Sequence, residues 1–177
     1  MGAGEDGAAP AAARRAIRVK FIVVAVGHRM PAWIRDGFEE YARRMPREAM
    51  LELREVKPAL RSRDAGRSTV ERLLGTEHRS IAAVLPERCY TVLLDERGIA
   101  LSTRELAARM TRWREAGRDI AFIVGGADGT APALRADADL VWSLSRLTLP
   151  HGLVRVMLAE QLYRAHLLLS GHPYHRG

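Results

Sequence analysis

Cysteine and lysine are scarce in this sequence, and no long run of apolar residues is present. The single cysteine, Cys89, excludes an internal disulfide, and its position before an apolar segment indicates a buried thiol in a reducing compartment. The most apolar stretch, residues 153–169, is interrupted by Arg155, Glu160 and Arg164. Because a membrane-spanning helix needs about 20 predominantly apolar residues, we expect a cytoplasmic protein that makes no membrane contact.

Motifs of several large enzyme classes are also missing. No G-x-x-x-x-G-K-[ST] sequence marks a P-loop, and no G-x-S-x-G sequence marks a nucleophile elbow. The glycines at 125, 126 and 129 lack the spacing of a Rossmann fingerprint. His172 and His175 are close in sequence, but no cysteine or carboxylate cluster accompanies them, so no metal site is expected.

A surplus of positive charge is the main compositional feature. Lysine and arginine together number 28 against 21 aspartates and glutamates, which gives a net charge of +7. Such a surplus favours a polyanionic partner, nucleic acid above all. Only Lys20 and Lys57 are lysines, so codon composition is an alternative explanation for the excess of arginine. Charge alone therefore does not decide between these explanations.

The hydrophobic pattern divides the chain into a short extension and one domain. Residues 1–17 are rich in alanine and glycine, and they offer too little apolar surface to order themselves. Their acidic residues precede their arginines, which is the reverse of a secretory signal peptide. We therefore predict a disordered extension over residues 1–17 and a single domain over residues 18–177, long enough to bury a core.

Apolar, β-branched runs alternate with segments of helical periodicity along this domain. Strands are predicted at residues 19–27, 51–56, 91–95, 119–124 and 140–144. Helices are predicted to begin at Pro31, Ser68, Ser102 and Gly152, and both serines have the capping-box spacing to a following glutamate. This alternation predicts an α/β fold with a mostly parallel sheet flanked by helices.

Three loop segments directly follow predicted strands, at residues 94–98, 125–129 and 143–150. The carboxyl ends of parallel strands share one edge of a sheet, where open α/β folds bind their ligands. Glycines in the first two segments would let a ligand approach the backbone. The alternative is that these glycines serve only to form turns.

The last predicted helix and the residues after it carry several polar side chains. Four of them are suited to stacking on a base and to contacting phosphate or carbonyl oxygens: His172, Tyr174, His175 and Arg176. The alternative is that they form a mobile polar tail. Glu160 and Arg164 are spaced as i,i+4 partners on the helix. They form either an exposed pair or a charged stripe that faces a site or a subunit interface.

Several segments taken together resemble a known family. They are VAVG at residues 24–27, IVGGADG at 123–129, WSLS at 142–145, LTLPH at 147–151, LVRV at 153–156, AEQLYRA at 159–165 and HPYHR at 172–176. Over residues 19–176 the chain resembles the RlmH family, the ribosomal RNA large-subunit methyltransferases H of the SPOUT class. The resemblance implies a SPOUT-type fold with a C-terminal trefoil knot, a rare exception to ordinary chain topology.

The resemblance also implies an activity and its partners. Members of the family form homodimers and transfer a methyl group from S-adenosyl-L-methionine to N3 of a pseudouridine in large-subunit rRNA. They act on the assembled ribosome and need no metal. Two alternatives stay open: a methyltransferase of the same fold that acts on another RNA such as tRNA, and a non-catalytic ribosome-binding module.

Carried over position by position, the resemblance implies roles for particular residues. Those implied in cofactor binding are Leu94, Gly125, Leu144, Ser145, Arg146, Leu147, Thr148 and Leu149. Those implied on the substrate side are His151, Tyr163, His172 and Arg176. Those implied in catalysis are Arg155, Arg164, Tyr174 and His175. The arginines would stabilise negative charge on the substrate ring, and His175 is a hypothetical base, with bulk solvent as the alternative proton acceptor.

Overall fold

The computed structural model describes residues 18–60 and 67–171. The expected disorder of residues 1–17 lies outside the described residues. The same holds for the Ser68 side chain and for the tail residues predicted to act on the substrate, namely His172, Tyr174, His175 and Arg176.

Five parallel strands form one sheet. They are β1 (Phe21–Val26), β2 (Leu51–Val56), β3 (Tyr90–Ala100), β4 (Ile120–Val124) and β5 (Leu140–Ser143). The strand order is β2-β1-β4-β3-β5, and every neighbouring pair runs parallel. The prediction of an α/β fold with a mostly parallel sheet is confirmed, and this sheet is parallel throughout.

Helices connect these strands and cover the sheet. They are α1 (Ala32–Ala42), α2 (Arg67–Ala82), α3 (Thr103–Ala116), α4 (Pro132–Asp137) and α5 (His151–Leu169), with a short 3-10 helix at Arg47–Ala49. The capping box predicted for α3 is confirmed, because the Ser102 hydroxyl accepts from the Glu105 N–H at 3.2 Å and the Glu105 carboxylate accepts from the Ser102 N–H at 2.7 Å. Within the described residues, no helix is long and apolar enough to cross a membrane.

The two faces of the sheet carry separate apolar cores. In β1, Phe21 and Val23 point into one core and Ile22 and Val24 into the other, as the two-residue period of a strand requires. The first core is closed by α1, α5 and α3, with α5 in the middle of that helix layer. The second core is closed by α2 and α4. A strand buried on both faces explains why β1 is an uninterrupted apolar run in the sequence.

One strand differs from its prediction. β3 was expected to end at Asp95, but it continues to Ala100 after an irregularity in which Leu94 and Ile99 both pair with Trp142. Residues 95–98 therefore bulge out of the ladder at the carboxyl edge of the sheet. A Cβ atom on Gly98 would lie 2.7 Å from the Trp142 backbone, so this close approach requires glycine.

Candidate active site

A cleft of about 670 Å³ lies at the carboxyl edge of β3, β4 and β5. Its walls come from the three loop segments singled out in the sequence, because parallel strands deliver the residues that follow them to one edge. Seven of the eight residues expected to bind cofactor line this cleft: Leu94, Gly125, Leu144, Ser145, Leu147, Thr148 and Leu149. The eighth, Arg146, is exposed on the same loop and does not line the cleft.

Glycines shape the wall that follows β4. A Cβ atom on Gly125 would lie 2.6 Å from the Thr130 methyl carbon, and Gly129 has a φ of +83°. The Gly129 N–H donates to the Gly126 carbonyl at 3.1 Å, which closes a tight turn. These glycines therefore form a turn, as one of the two interpretations of the sequence expected. The same turn also exposes backbone to the cleft, so the two interpretations are compatible.

Short polar contacts hold the loop after β5. The Ser143 hydroxyl donates to the Ser145 carbonyl at 2.7 Å, and the Ser145 hydroxyl accepts from the Leu147 N–H at 2.9 Å. The Thr148 hydroxyl donates to the Glu96 carboxylate at 2.9 Å, which ties this loop to the bulge in β3. The Leu147 side chain is 73% exposed at the cleft. An exposed leucine on a constrained loop suits apolar contact with a ligand.

Acidic groups dominate the charge of the cleft walls. Asp95 forms ion pairs with Arg135 at 2.8 Å and with Arg97 at 3.4 Å, so most of its charge is compensated. Glu96 and Asp128 add two further carboxylates to the lining. This balance favours a ligand with cationic groups over a strongly anionic one. Within residues 18–60 and 67–171, no three metal-ligating side chains are grouped for a metal ion.

His151 and Arg155 lie one turn apart at the start of α5 but occupy different environments. His151 lines the cleft, and burial, followed by the nearby positive charge of Arg155, lowers its pKa. Arg155 is only 1% exposed and does not line the cleft. Its guanidinium donates to Glu55 at 2.7 Å and to the carbonyls of Val26 and Gly27 at 3.1 and 2.9 Å.

Arg155 therefore acts as a brace between α5 and the carboxyl ends of β1 and β2. Both terminal nitrogens of its guanidinium donate to protein oxygens, and its Nε–H is buried with no hydrogen-bond partner among the described residues. Because the whole group is buried away from the cleft, this position does not support the expected role in stabilising charge on a substrate. Sequence reasoning missed its partner, Glu55. A signal was available, because Glu55 continues the alternation of Leu51 and Leu53 on one face of β2, where an apolar residue is the usual choice.

Tyr163 and Arg164 lie far along α5 from the cleft. The Tyr163 ring packs at 6.1 Å from that of Tyr41, and Arg164 pairs with Glu160 at 2.6 Å. Neither residue lines the cleft. At about 1.5 Å of rise per residue, they are roughly 20 Å along the helix from His151. Of the described residues expected to act on the substrate, His151 therefore reaches the cleft within one chain, whereas Tyr163 and Arg164 do not.

Comparison with known proteins supplies the family. A family model described as "Predicted SPOUT methyltransferase" matches residues 19–175. A ribosomal RNA large subunit methyltransferase H from Nitrosospira multiformis is 58% identical over 158 residues, which cover 89% of this chain and 99% of the relative. The chain belongs to the RlmH family of SPOUT methyltransferases. A second RlmH protein, from Burkholderia mallei, is 54% identical with the same coverage. The family membership inferred from the sequence segments is confirmed.

Two solved structures are more distant from this chain. A probable methylase family protein from Haemophilus influenzae gives a TM-score of 0.48 at 13% identity, covering 91% of this chain and 72% of its own. The SpoU methyltransferase AviRb from Streptomyces viridochromogenes, solved in complex with AdoMet, gives a TM-score of 0.45 at 14% identity, with coverages of 89% and 63%.

Proposed function

We propose that this RlmH-family protein transfers the methyl group of S-adenosylmethionine to N3 of a pseudouridine in large-subunit rRNA. Its substrate is the assembled ribosome, which implies a cytoplasmic location. The names of relatives at 54–58% identity support the rRNA substrate. The observation that carries the proposal is the cleft itself, which gathers seven of the eight residues expected to hold the methyl donor.

The walls of the cleft fit this methyl donor. S-adenosylmethionine carries a sulfonium and an ammonium cation, and Glu96 and Asp128 supply negative charge. Its adenine is apolar on both faces, and Leu94, Leu147 and Leu149 offer apolar contact. Backbone groups of residues 145–149 would hydrogen-bond the edge of the adenine. The turn at residues 125–129 presents backbone that lets the ligand approach closely.

The sulfonium supplies a reactive methyl group, so the protein must mainly align the acceptor nitrogen and allow its proton to leave. Loss of that proton leaves negative charge on the carbonyl oxygens beside N3. We propose that Arg164 and Arg176 stabilise this charge, that Tyr174 and His172 position the base, and that His175 accepts the proton. His175→Ala should abolish methyl transfer while leaving calorimetric binding of S-adenosylmethionine intact. Unchanged turnover would remove His175 from the mechanism.

A homodimer would reconcile the position of Arg164 with this role. Leu153, Met157, Glu160 and Arg164 are half-buried and follow one another along a side of α5. We propose that a second copy covers this stripe, so that Tyr163 and Arg164 of one subunit serve the cleft of the other. The test mixes an Arg164→Ala chain with a chain whose cleft carries Gly125→Ala. Restored activity in the mixture supports the shared site, whereas an inactive mixture that still forms dimers opposes it.

The chain after β5 is also proposed to follow the trefoil knot of the family. A crystal structure that traces the loop and α5 tests this threading, and an unthreaded chain would contradict it. The function itself is tested by mass-spectrometric mapping of large-subunit rRNA from a deletion strain, with and without the gene restored. Failure to restore the methyl group, with S-adenosylmethionine still bound, would favour another RNA. Failure to bind S-adenosylmethionine would favour a non-catalytic ribosome-binding module.

A further inference from the structure

Three exposed cationic or titratable side chains lie together beside the cleft. Val26 at the end of β1 pairs with Val56 at the end of β2, and the Gly27 N–H donates to the Val56 carbonyl at 2.8 Å. The residues that follow these two strands are therefore neighbours at the carboxyl edge of the sheet. They form a surface that we name the cationic rim: His28, Arg29 and Lys57.

The cationic rim is free to bind a partner. Its three side chains are exposed, and across residues 18–60 and 67–171 no hydrogen bond or ion pair engages any of them. By contrast, Arg97 and Arg135 beside the cleft and Arg164 in α5 each pair with a carboxylate. Arg29 lines a second groove with Glu39 and Glu55, but these carboxylates are paired with Arg43 and Arg155. Positive charge without an ion-pair partner attracts anionic ligands.

Backbone strain points to the same surface. Arg29 has a φ of +57°, a conformation that residues with a Cβ atom rarely adopt and that glycine adopts readily. The preceding Gly27 has a φ of +113°, and its carbonyl is held by buried Arg155 at 2.9 Å. The brace therefore fixes a turn that presents an exposed arginine in a strained backbone. Strained backbone of this kind clusters at functional sites, and at Arg29 it coincides with exposed charge beside the cleft.

The cationic rim borders the cleft on one side. A Cβ atom on Gly27 would lie 3.5 Å from the His151 imidazole, and His151 lines the cleft. The cleft lining itself carries three carboxylates, Asp95, Glu96 and Asp128, against one arginine, Arg97. Phosphates of a bound RNA would therefore be repelled from the cleft and attracted to the rim beside it.

We propose that the cationic rim binds the phosphate backbone of the rRNA next to the methylated nucleotide, with Arg29 as its main contact. The inference rests on the proposed function and adds the surface that receives the substrate. Phosphate contacts position a nucleic acid without reading its sequence. The rim would therefore fix how deep the base enters the cleft, while other groups select the base.

The test compares two arginines that share a backbone conformation. Arg88 is the other residue with a Cβ atom and positive φ in the described part of the chain, at +56°, and it precedes β3 at the opposite edge of the sheet. Arg29→Gly and Arg88→Gly each remove one charge and relieve one strained turn. Only the first alters the cationic rim, so Arg88→Gly is the matched control.

Methyl transfer to ribosomes and calorimetric binding of S-adenosylmethionine are measured for each variant. Arg29→Gly should raise the KM for ribosomes about fivefold, the effect of one solvent-exposed charge contact. It should also lower the slope of log KM against log salt by about one. The dissociation constant for S-adenosylmethionine should not change. Arg29→Lys should keep the wild-type KM, and Arg29→Gly with Lys57→Gln should raise KM further.

Each outcome decides between the proposals. If Arg29→Gly leaves KM and the salt slope unchanged while the wild type is active, the rim proposal is overturned and the proposed function stands. An equal rise in KM for Arg88→Gly also overturns it, because charge loss anywhere would then suffice. An inactive wild type on ribosomes overturns the proposed function and, with it, the rim proposal.

Discussion

The substitution Glu55→Gln tests whether the ion pair between Glu55 and Arg155 stabilises the carboxyl edge of the sheet. The substitution keeps the shape of the side chain and an oxygen that can accept a hydrogen bond, but it removes the charge opposite Arg155. Arg155 is 1% exposed, whereas the Glu55 side chain is 37% exposed, so the cost comes mainly from leaving a buried cation without its carboxylate. Breaking such a pair from one side costs about 3–5 kcal/mol.

Partial exposure of Glu55 lets water compensate some of this loss, and the two carbonyl partners of Arg155 remain. We therefore expect the low end, about 3 kcal/mol. For a chain of 177 residues this corresponds to a fall in Tm of roughly 6–12 °C. Urea unfolding followed by tryptophan fluorescence gives the free energy, and calorimetry gives Tm.

A surface pair on the same strand provides the control. Glu52 pairs with Arg54 at 2.8 Å, and their side chains are 43% and 32% exposed, so water screens both charges. Glu52→Gln should cost less than about 1 kcal/mol. Adding Arg155→Met to Glu55→Gln should cost less than the sum of the two single substitutions, because the second change removes the stranded cation. A Glu55→Gln cost equal to that of Glu52→Gln would refute the brace as a stabilising element.

Other predictions concern the cleft and pH. Gly125→Ala should destabilise the fold by about 1–3 kcal/mol and weaken S-adenosylmethionine binding, because its Cβ atom would overlap the facing turn. Leu147→Ala should leave the unfolding free energy within about 0.5 kcal/mol, since the side chain is 73% exposed, and should weaken S-adenosylmethionine binding several-fold in calorimetry. Burial lowers the pKa of both His151 and His166 in the folded protein. Their contribution to stability is therefore complete above about pH 6.5 and is lost as pH falls through their lowered pKa values, which urea unfolding at a series of pH values measures.

Each of these predictions has a contradicting outcome. Gly75→Ala is the control for the first, since its Cβ atom would meet only the end of the Arg79 side chain at 3.9 Å and should stabilise α2. A Gly125→Ala protein that binds S-adenosylmethionine normally would show that the cleft wall tolerates a methyl group. Equal binding by Leu147→Ala would remove Leu147 from the ligand contacts. A slope with pH that persists after both histidines become glutamine would assign the loss to other groups.

Sequence patterns predicted the parts of this fold that depend on local chemistry. β1 is apolar at every position because both its faces are buried, and the Ser102 cap is readable because its partner is three residues away. α4 was not predicted, since a helix of 6 residues is too short for a helical period to emerge. Its only local signal is Pro132 in the first turn.

Contacts between distant segments could not be predicted in the same way. The local sequence shows Arg155 only as a charged residue in an apolar helix. Its burial depends on Glu55, which is 100 positions away. The bulge in β3 was predicted to be a turn because its residues are polar and end in glycine. The strand continues beyond it because Ile99 pairs again with Trp142 on β5, a contact that the local sequence does not indicate. The cleft residues were found through family resemblance together with the rule that ligands bind at strand ends. Strand order was not available from either source.

The central position of α5 limits how this protein can change over time. Its first residue lines the cleft, its second turn carries the brace, and Tyr163 packs on Tyr41 of α1. Adding or deleting one residue between these points would rotate everything beyond it by about 100°. The brace, the core contacts and the half-buried stripe of Leu153, Met157, Glu160 and Arg164 would then all face the wrong neighbours. The number of residues between these contacts in α5 is therefore constrained. Substitutions can accumulate along the helix, whereas insertions cannot.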